Sequence, residues 1–190
     1  LCIKAGRIEE SICIENSGIV LPVNTTFVDD CRTDSKSAMG SIVLKYYPEK
    51  IEQFQKDIED TLNAEGIKEP QPADTILMPD FYTKPCSLIL TATTIKKSRD
   101  GIRSSPEIVS HCIQNIFEIT ADKKIKKLYI PVLGSGHGGL DVFDSLVTML
   151  ISIKFYSSKY HHIKNIELIF LKDNLKEIIK NLKILRLYRK

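Results

Sequence analysis

Long apolar runs are missing from this 190-residue chain. The longest, around Leu146 to Ile153, is interrupted by Thr148 and Ser152. It falls far short of the roughly 20 residues that cross a bilayer, so no membrane helix is expected within the chain. No signal peptide is visible, and the first residue is Leu1 rather than methionine. The sequence is therefore read as a soluble, cytosolic piece of a longer chain. Closely spaced cysteines are also missing. The five, at positions 2, 13, 31, 86 and 112, form no C-x-x-C pair and are odd in number. Reduced thiols are expected, without a disulfide framework, zinc site or other metal. A strong charge of either sign is absent too. The 27 basic and 24 acidic residues leave +3, too little to argue for nucleic acid. Internal repeats and low-complexity linkers do not occur. With 43% apolar and 27% charged residues the composition is that of a globular protein, and residues 1–190 suit a single domain.

Hydrophobic periodicity then predicts elements. Ser11–Glu15 and Gly18–Pro22 read as strands, and Asn24–Ser37 as a polar loop. Met39 to Ala64 reads as helical, with Ile51, Phe54, Ile58 and Leu62 on one face. Pro70, Pro72 and Pro79 mark an irregular connection. Cys86–Thr94 is a buried strand and 96–104 a charged loop. Ser105-Pro106-Glu107 opens a helix reaching Thr120. Lys127–Leu133 and Ile166–Leu171 are strands flanking a helix from Leu140 to Tyr156, and Asp173 caps a last helix ending near Leu182. This alternation is that of an α/β sheet covered on both faces.

Four of the nine glycines fall in the turn Gly134-Ser-Gly-His-Gly-Gly139, between a strand and a helix. Glycine serves where φ is positive or where a ligand approaches the main chain. Exposed amides and a helix N-terminus together suit phosphate. The P-loop pattern fails because no Lys-Ser/Thr follows. The dinucleotide pattern G-x-G-x-x-G matches Gly134, Gly136 and Gly139, but only one strand follows, and the acidic residue expected at its end is missing. A dinucleotide-binding regulatory module stays as an alternative.

The order strand, glycine turn, helix, strand, helix resembles the macro domain family, whose members bind ADP-ribose. The resemblance extends to Val20-Leu-Pro-Val-Asn24, similar to the strand that ends in an asparagine facing the distal ribose. It extends to Ser37-Ala-Met-Gly-Ser41, similar to the first pyrophosphate loop, and to Ala5-Gly-Arg-Ile8, similar to the turn after the first strand. Pro22-Val-Asn24-Thr-Thr-Phe27, Ser37-x-x-Gly40 and Leu133-Gly-Ser-Gly-x-Gly-Gly-Leu140 together resemble the macro domains of Thoeris antiphage effectors. What this implies is a three-layer α/β/α sandwich with a mixed sheet. It further implies a sensor of an ADP-ribose derivative made by a TIR-domain protein, which switches on an attached effector, with room for a ligand-induced oligomer.

The resemblance places ligand contacts at Asn24, Phe27, Asp30, Ser37, Met39, Gly40, Leu133, Gly134, Ser135, Gly136, His137, Gly138, Gly139 and Leu140, with Asp29 and Leu171 as further candidates. No catalytic residue and no cofactor is implied beyond the ligand itself. Two departures stand out. Arg7 and Glu9 replace the aspartate that often meets adenine. The glycine turn holds no acid, so an ADP-ribosyl hydrolase using Lys96 or Lys97 with Asp141 is the alternative rather than the expectation.

Overall fold

The computed structural model describes residues 1–12, 14–27, 33–78, 85–97 and 101–187, without the side chains of 96, 97, 101, 102 and 182–187. Asp29, Asp30, Cys13, Cys31 and Pro79 lie outside the described residues, as do the side chains of Lys96 and Lys97. Among those described, seven strands and five α-helices follow one another. They are β1 (Cys2–Ala5), β2 (Ser17–Asn24), α1 (Ala38–Tyr46), α2 (Ile51–Ala64), β3 (Thr75–Met78), β4 (Ser87–Lys97), β5 (Gly101–Arg103), α3 (Pro106–Ile119), β6 (Lys127–Pro131), α4 (Val142–Lys159), β7 (Asn165–Phe170) and α5 (Leu175–Leu187). The sheet order is β1-β7-β6-β2-β4-β3, and β5 pairs with the end of β4. Neighbours from β1 to β4 are parallel; β3 and β5 run antiparallel to β4.

Alternation along each strand divides the core in two. Ile19, Leu21, Leu88, Leu90 and Tyr129 point to the layer holding Ile42 of α1 and Phe54 and Ile58 of α2. Val20, Ile89, Leu128, Ile130 and Leu168 point to the layer holding Ile113 and Phe117 of α3, Met149 of α4 and Ile178 of α5. The result is a three-layer α/β/α sandwich. Burial on both faces explains why β2 and β4 read as unbroken apolar runs. Parallel strands need crossovers, so the helices fall between them and all five parallel carboxyl ends meet on one edge.

Six expectations need correction. The helix from Met39 to Ala64 is two helices. Pro48 disfavours α geometry in the residue before it, and Tyr47 leaves α1 at φ −129°, ψ 38°. Ser11–Glu15 is no strand: Ile12 and Ile14 are 73% and 45% exposed, and the Ser17 hydroxyl donates to the Ile14 carbonyl at 2.6 Å in a turn that opens β2. The proline-flanked connection hides β3, and the charged loop hides β5, because both are short strands held by β4 rather than by their own pattern. Asp173 lies in a 3-10 turn, Lys172–Asn174, before α5 rather than capping it. Cys86 is disulfide-bonded, while Cys2 and Cys112 are free. Odd count and spacing exclude a local clip, but pairing depends on proximity in the fold.

Candidate functional site

A cleft of about 450 Å³ opens where the parallel carboxyl ends meet, the usual place for ligands in an open α/β sheet. One end lies at β1 and β7, lined by Gly6, Arg7, Ile8, Glu9, Phe170 and Leu171; the other lies at β2 and β4, lined by Val23, Asn24, Thr93 and Thr94. Between them stand Ser37, Ala38 and Met39 of the first loop and Gly134–Gly138 of the glycine turn.

The glycine turn is fixed from behind. The Ser104 amide donates to the Gly138 carbonyl at 2.9 Å, and its hydroxyl to the Thr93 carbonyl at 2.6 Å. A Cβ on Gly134 would stand 2.4 Å from Ser104 Oγ, and one on Gly138 would stand 2.5 Å from the Gly134 carbonyl and 2.7 Å from Thr94 Cγ2. Gly134 and Gly139 also have φ of 73° and 67°, a region that favours glycine. Gly136 differs: its φ is not in that region and a Cβ there would meet nothing within 4 Å. The Gly139 and Leu140 amides close the turn onto the carbonyls of Gly136 and Gly134, both at 3.2 Å. Among the described residues, the amides from Gly134 to Gly138 have no acceptor within the protein.

The helix after the turn is already capped. Asp141 Oδ1 accepts from the amides of Phe143 at 2.8 Å and Asp144 at 3.0 Å. The Asp144 amide, with the Glu177 side chain and the Phe143 amide adding to it, holds the Asp141 carboxyl below the usual aspartate range. The positive end of α4 is thus occupied by its own side chain. Across the cleft Ser37 caps α1, its hydroxyl accepting from the Gly40 amide at 2.8 Å. That leaves the first-turn amides of Ala38 and Met39 without intrahelical partners. The β2 end is shaped by a register shift between Val23 and Asn24, a bulge that re-aims the strand end. Asn24 is 3% exposed, and its Oδ1 accepts from the Thr26 amide at 2.8 Å.

At the β1 end Arg7 donates from Nε to the Glu9 carboxylate and from Nη2 to the Ser35 carbonyl at 2.6 Å. Burial acts to raise the Glu9 carboxyl, but hydrogen bonds from its own amide, Arg7 and Ser41 outweigh it and hold Glu9 below the usual range.

A family model described as Thoeris protein ThsA, Macro domain, matches residues 3–170. The chain belongs to this family. Comparison with curated protein sequences gives no match. Among solved structures, this Thoeris-type macro domain is similar to the Oceanobacillus iheyensis macrodomain with ADP, at TM-score 0.68 and 16% identity over 96% of this chain and 90% of that one. It is similar to the Trypanosoma brucei macrodomain in complex with ADP-ribose, at 0.67 and 12% over 95% and 68%. It is also similar to the macrodomain of Mycobacterium tuberculosis DarG, at 0.62 and 15% over 90% and 96%. At such identities the likeness concerns the fold.

The macro-domain cleft gathers Asn24, Ser37, Met39, Gly134, Ser135, Gly136, His137 and Gly138 from the residues singled out in the sequence. Arg7, Glu9 and Leu171 line it too. Phe27 does not: at φ 57° it turns into the core and is 1% exposed. Leu133 is fully buried, its carbonyl accepting from Ser145 Oγ at 2.5 Å. Gly40, Gly139 and Leu140 also stand outside the lining, their amides closing local turns. Thr93, Thr94 and Phe170 were missed in the sequence, although strand carboxyl ends are where such residues belong. Asp141, the acid of the hydrolase alternative, does not line the cleft. Among the described residues no cluster of three or more His, Cys, Asp or Glu could hold a metal, and no helix is long and apolar enough to cross a membrane.

Proposed function

We propose that the cleft binds an ADP-ribose derivative and that the chain is a sensor rather than an enzyme. Gly136 carries this reading. The fold gives no reason for glycine there, whereas an approaching ligand does. The free amides of the glycine turn and the first-turn amides of α1 stand on two sides of one cleft, suiting the two phosphates of a nucleoside diphosphate sugar. Asn24 then meets the distal ribose, Leu171 the adenine, and His137 the pyrophosphate or the group on the distal ribose. The Thoeris family supports a further step: the ligand is a signal made from NAD by a TIR-domain partner, and binding switches on an attached effector in antiviral defence, through an oligomer formed with the ligand. On this reading residues 1–190 form one macro-like unit in the cytoplasm, with any membrane tether outside it. Two of the similar structures hold ADP or ADP-ribose, which agrees with the ligand class.

Calorimetry tests it. ADP-ribose should bind and NAD should bind far more weakly, while Gly136→Glu should abolish binding by filling the turn and repelling phosphate. Unchanged affinity in Gly136→Glu would move the site elsewhere. Incubation with ADP-ribosylated protein should release no ADP-ribose; release at enzymatic rates would turn the reading to hydrolysis.

A further inference from the structure

The bridge made by Arg7 spans two elements that no strand pairing joins. One is the 3-10 turn after β1, Ile8–Glu10; the other is the loop that leads into α1. The turn end is itself braced, because the Glu9 carbonyl accepts from Lys45 Nζ at 2.5 Å and from the Tyr46 hydroxyl at 3.2 Å. The loop end is Ser35, two residues before the α1 cap Ser37. A guanidinium presents several donors in a rigid fork, so one side chain satisfies the Glu9 carboxylate and the Ser35 carbonyl together. Loop 34–37 also has bonds of its own, Ser37 amide to Asp34 carbonyl at 3.0 Å and Lys36 amide to Asp34 Oδ1 at 2.9 Å. Those bonds lie within the loop; the Arg7 bond to the Ser35 carbonyl joins it to the end of β1.

We propose that Arg7 is a positioning residue for the first phosphate-binding turn: by tying Ser35 to the end of β1 it presets where the Ala38 and Met39 amides stand in the cleft. This rests on the ADP-ribose reading above for its effect on affinity, but not for its effect on the loop. The role is separate from a contact with the base. Loss of the bridge lowers the fraction of molecules with the turn in place, and affinity falls by that fraction. A ligand without phosphates does not use the turn and loses less.

The test compares the unaltered chain with Arg7→Ala and Arg7→Lys. ADP-ribose is titrated by calorimetry, adenosine by NMR, and amide hydrogen exchange over residues 33–39 is followed without ligand. Arg7→Ala should weaken ADP-ribose about fivefold, which corresponds to about one-fifth of the molecules keeping the turn in place. It should weaken adenosine less than ADP-ribose, and it should speed exchange over 33–39. Arg7→Lys should not restore affinity, since a single ammonium lacks the fork. Unchanged ADP-ribose affinity overturns the proposal. So does an equal loss for adenosine, which would make Arg7 a nucleoside contact, and so does full rescue by lysine. If the unaltered chain binds neither ligand, the ADP-ribose reading fails while the exchange experiment still decides the bridge: unchanged exchange overturns it.

Discussion

Gly136 and Gly138 stand two residues apart in one turn, yet a methyl group would meet different surroundings at each. At 138 it would press on a carbonyl at 2.5 Å and a threonine methyl at 2.7 Å. Main chain cannot step aside cheaply, so Gly138→Ala should lower stability by about 1–3 kcal/mol. At 136 it would enter open space. Gly136→Ala should leave stability unchanged or raise it by up to about 1 kcal/mol, through a less flexible unfolded chain. Urea unfolding of both variants checks this; equal losses would show that packing does not distinguish the two positions. The glycine turn was legible in the sequence because its composition departs so far from an ordinary turn. Phe27 and Leu133 were assigned to the ligand by the motifs they sit in. Their burial is settled by neighbours that no motif contains: Phe27 packs in the core layer of α1 and α2, and Leu133 in the layer of α3 and α4.

Helix α4 begins at a side chain that serves it and nothing in the cleft. Asp141→Ala should destabilise the chain by about 1 kcal/mol, and Asp141→Asn should retain most of the cap. The folded carboxyl titrates below the ordinary aspartate value of about 3.9. Its contribution is therefore complete above that value and is lost as pH falls through the folded value. Acid unfolding of the asparagine variant should start from a similar midpoint at neutral pH and lose less as pH falls below about 4. An identical acid profile would remove Asp141 from the cap. Elements with their own signals were legible: α3 has Ser105 and Pro106, and β4 and β6 are apolar and bounded. Elements held by others were not. β3 and β5 are strands because β4 offers partners, and the α1–α2 break depends on Pro48, whose effect a periodic pattern conceals. The α4 N-terminus was expected to add to an anion site, but Asp141 two residues beyond Gly139 had already filled it.

On the scale of the whole molecule, the cleft is a product of topology. Five parallel strands deliver their carboxyl ends to one edge, and four of them, β1, β2, β6 and β7, run on into the segments that line the cleft. A ligand there touches most of the sheet, so binding should stabilise the entire fold. At one hundred times the dissociation constant, ADP-ribose should add about 2.7 kcal/mol, or a rise of about 5–10 °C in melting temperature for a chain of this size. Thermal melts should show the rise in the unaltered chain and none in Gly136→Glu. A rise of the same size in both would mean that the stabilising site lies away from the turn. The layers and the mixed sheet were legible through family resemblance; the strand order was not, because pairings such as β1 with β7 join the two ends of the chain and leave no local trace.

The turn from Gly134 to Gly138 offers a run of peptide groups, beside the side chains of Ser135 and His137, to whatever enters the cleft. Peptide groups are the same in every protein, so such a surface is inherited as a shape and not as a spelling. Two chains can keep it while almost every letter around it drifts. The fold is shared with the Oceanobacillus iheyensis macrodomain at 16% identity, a degree of divergence that a surface of peptide groups permits.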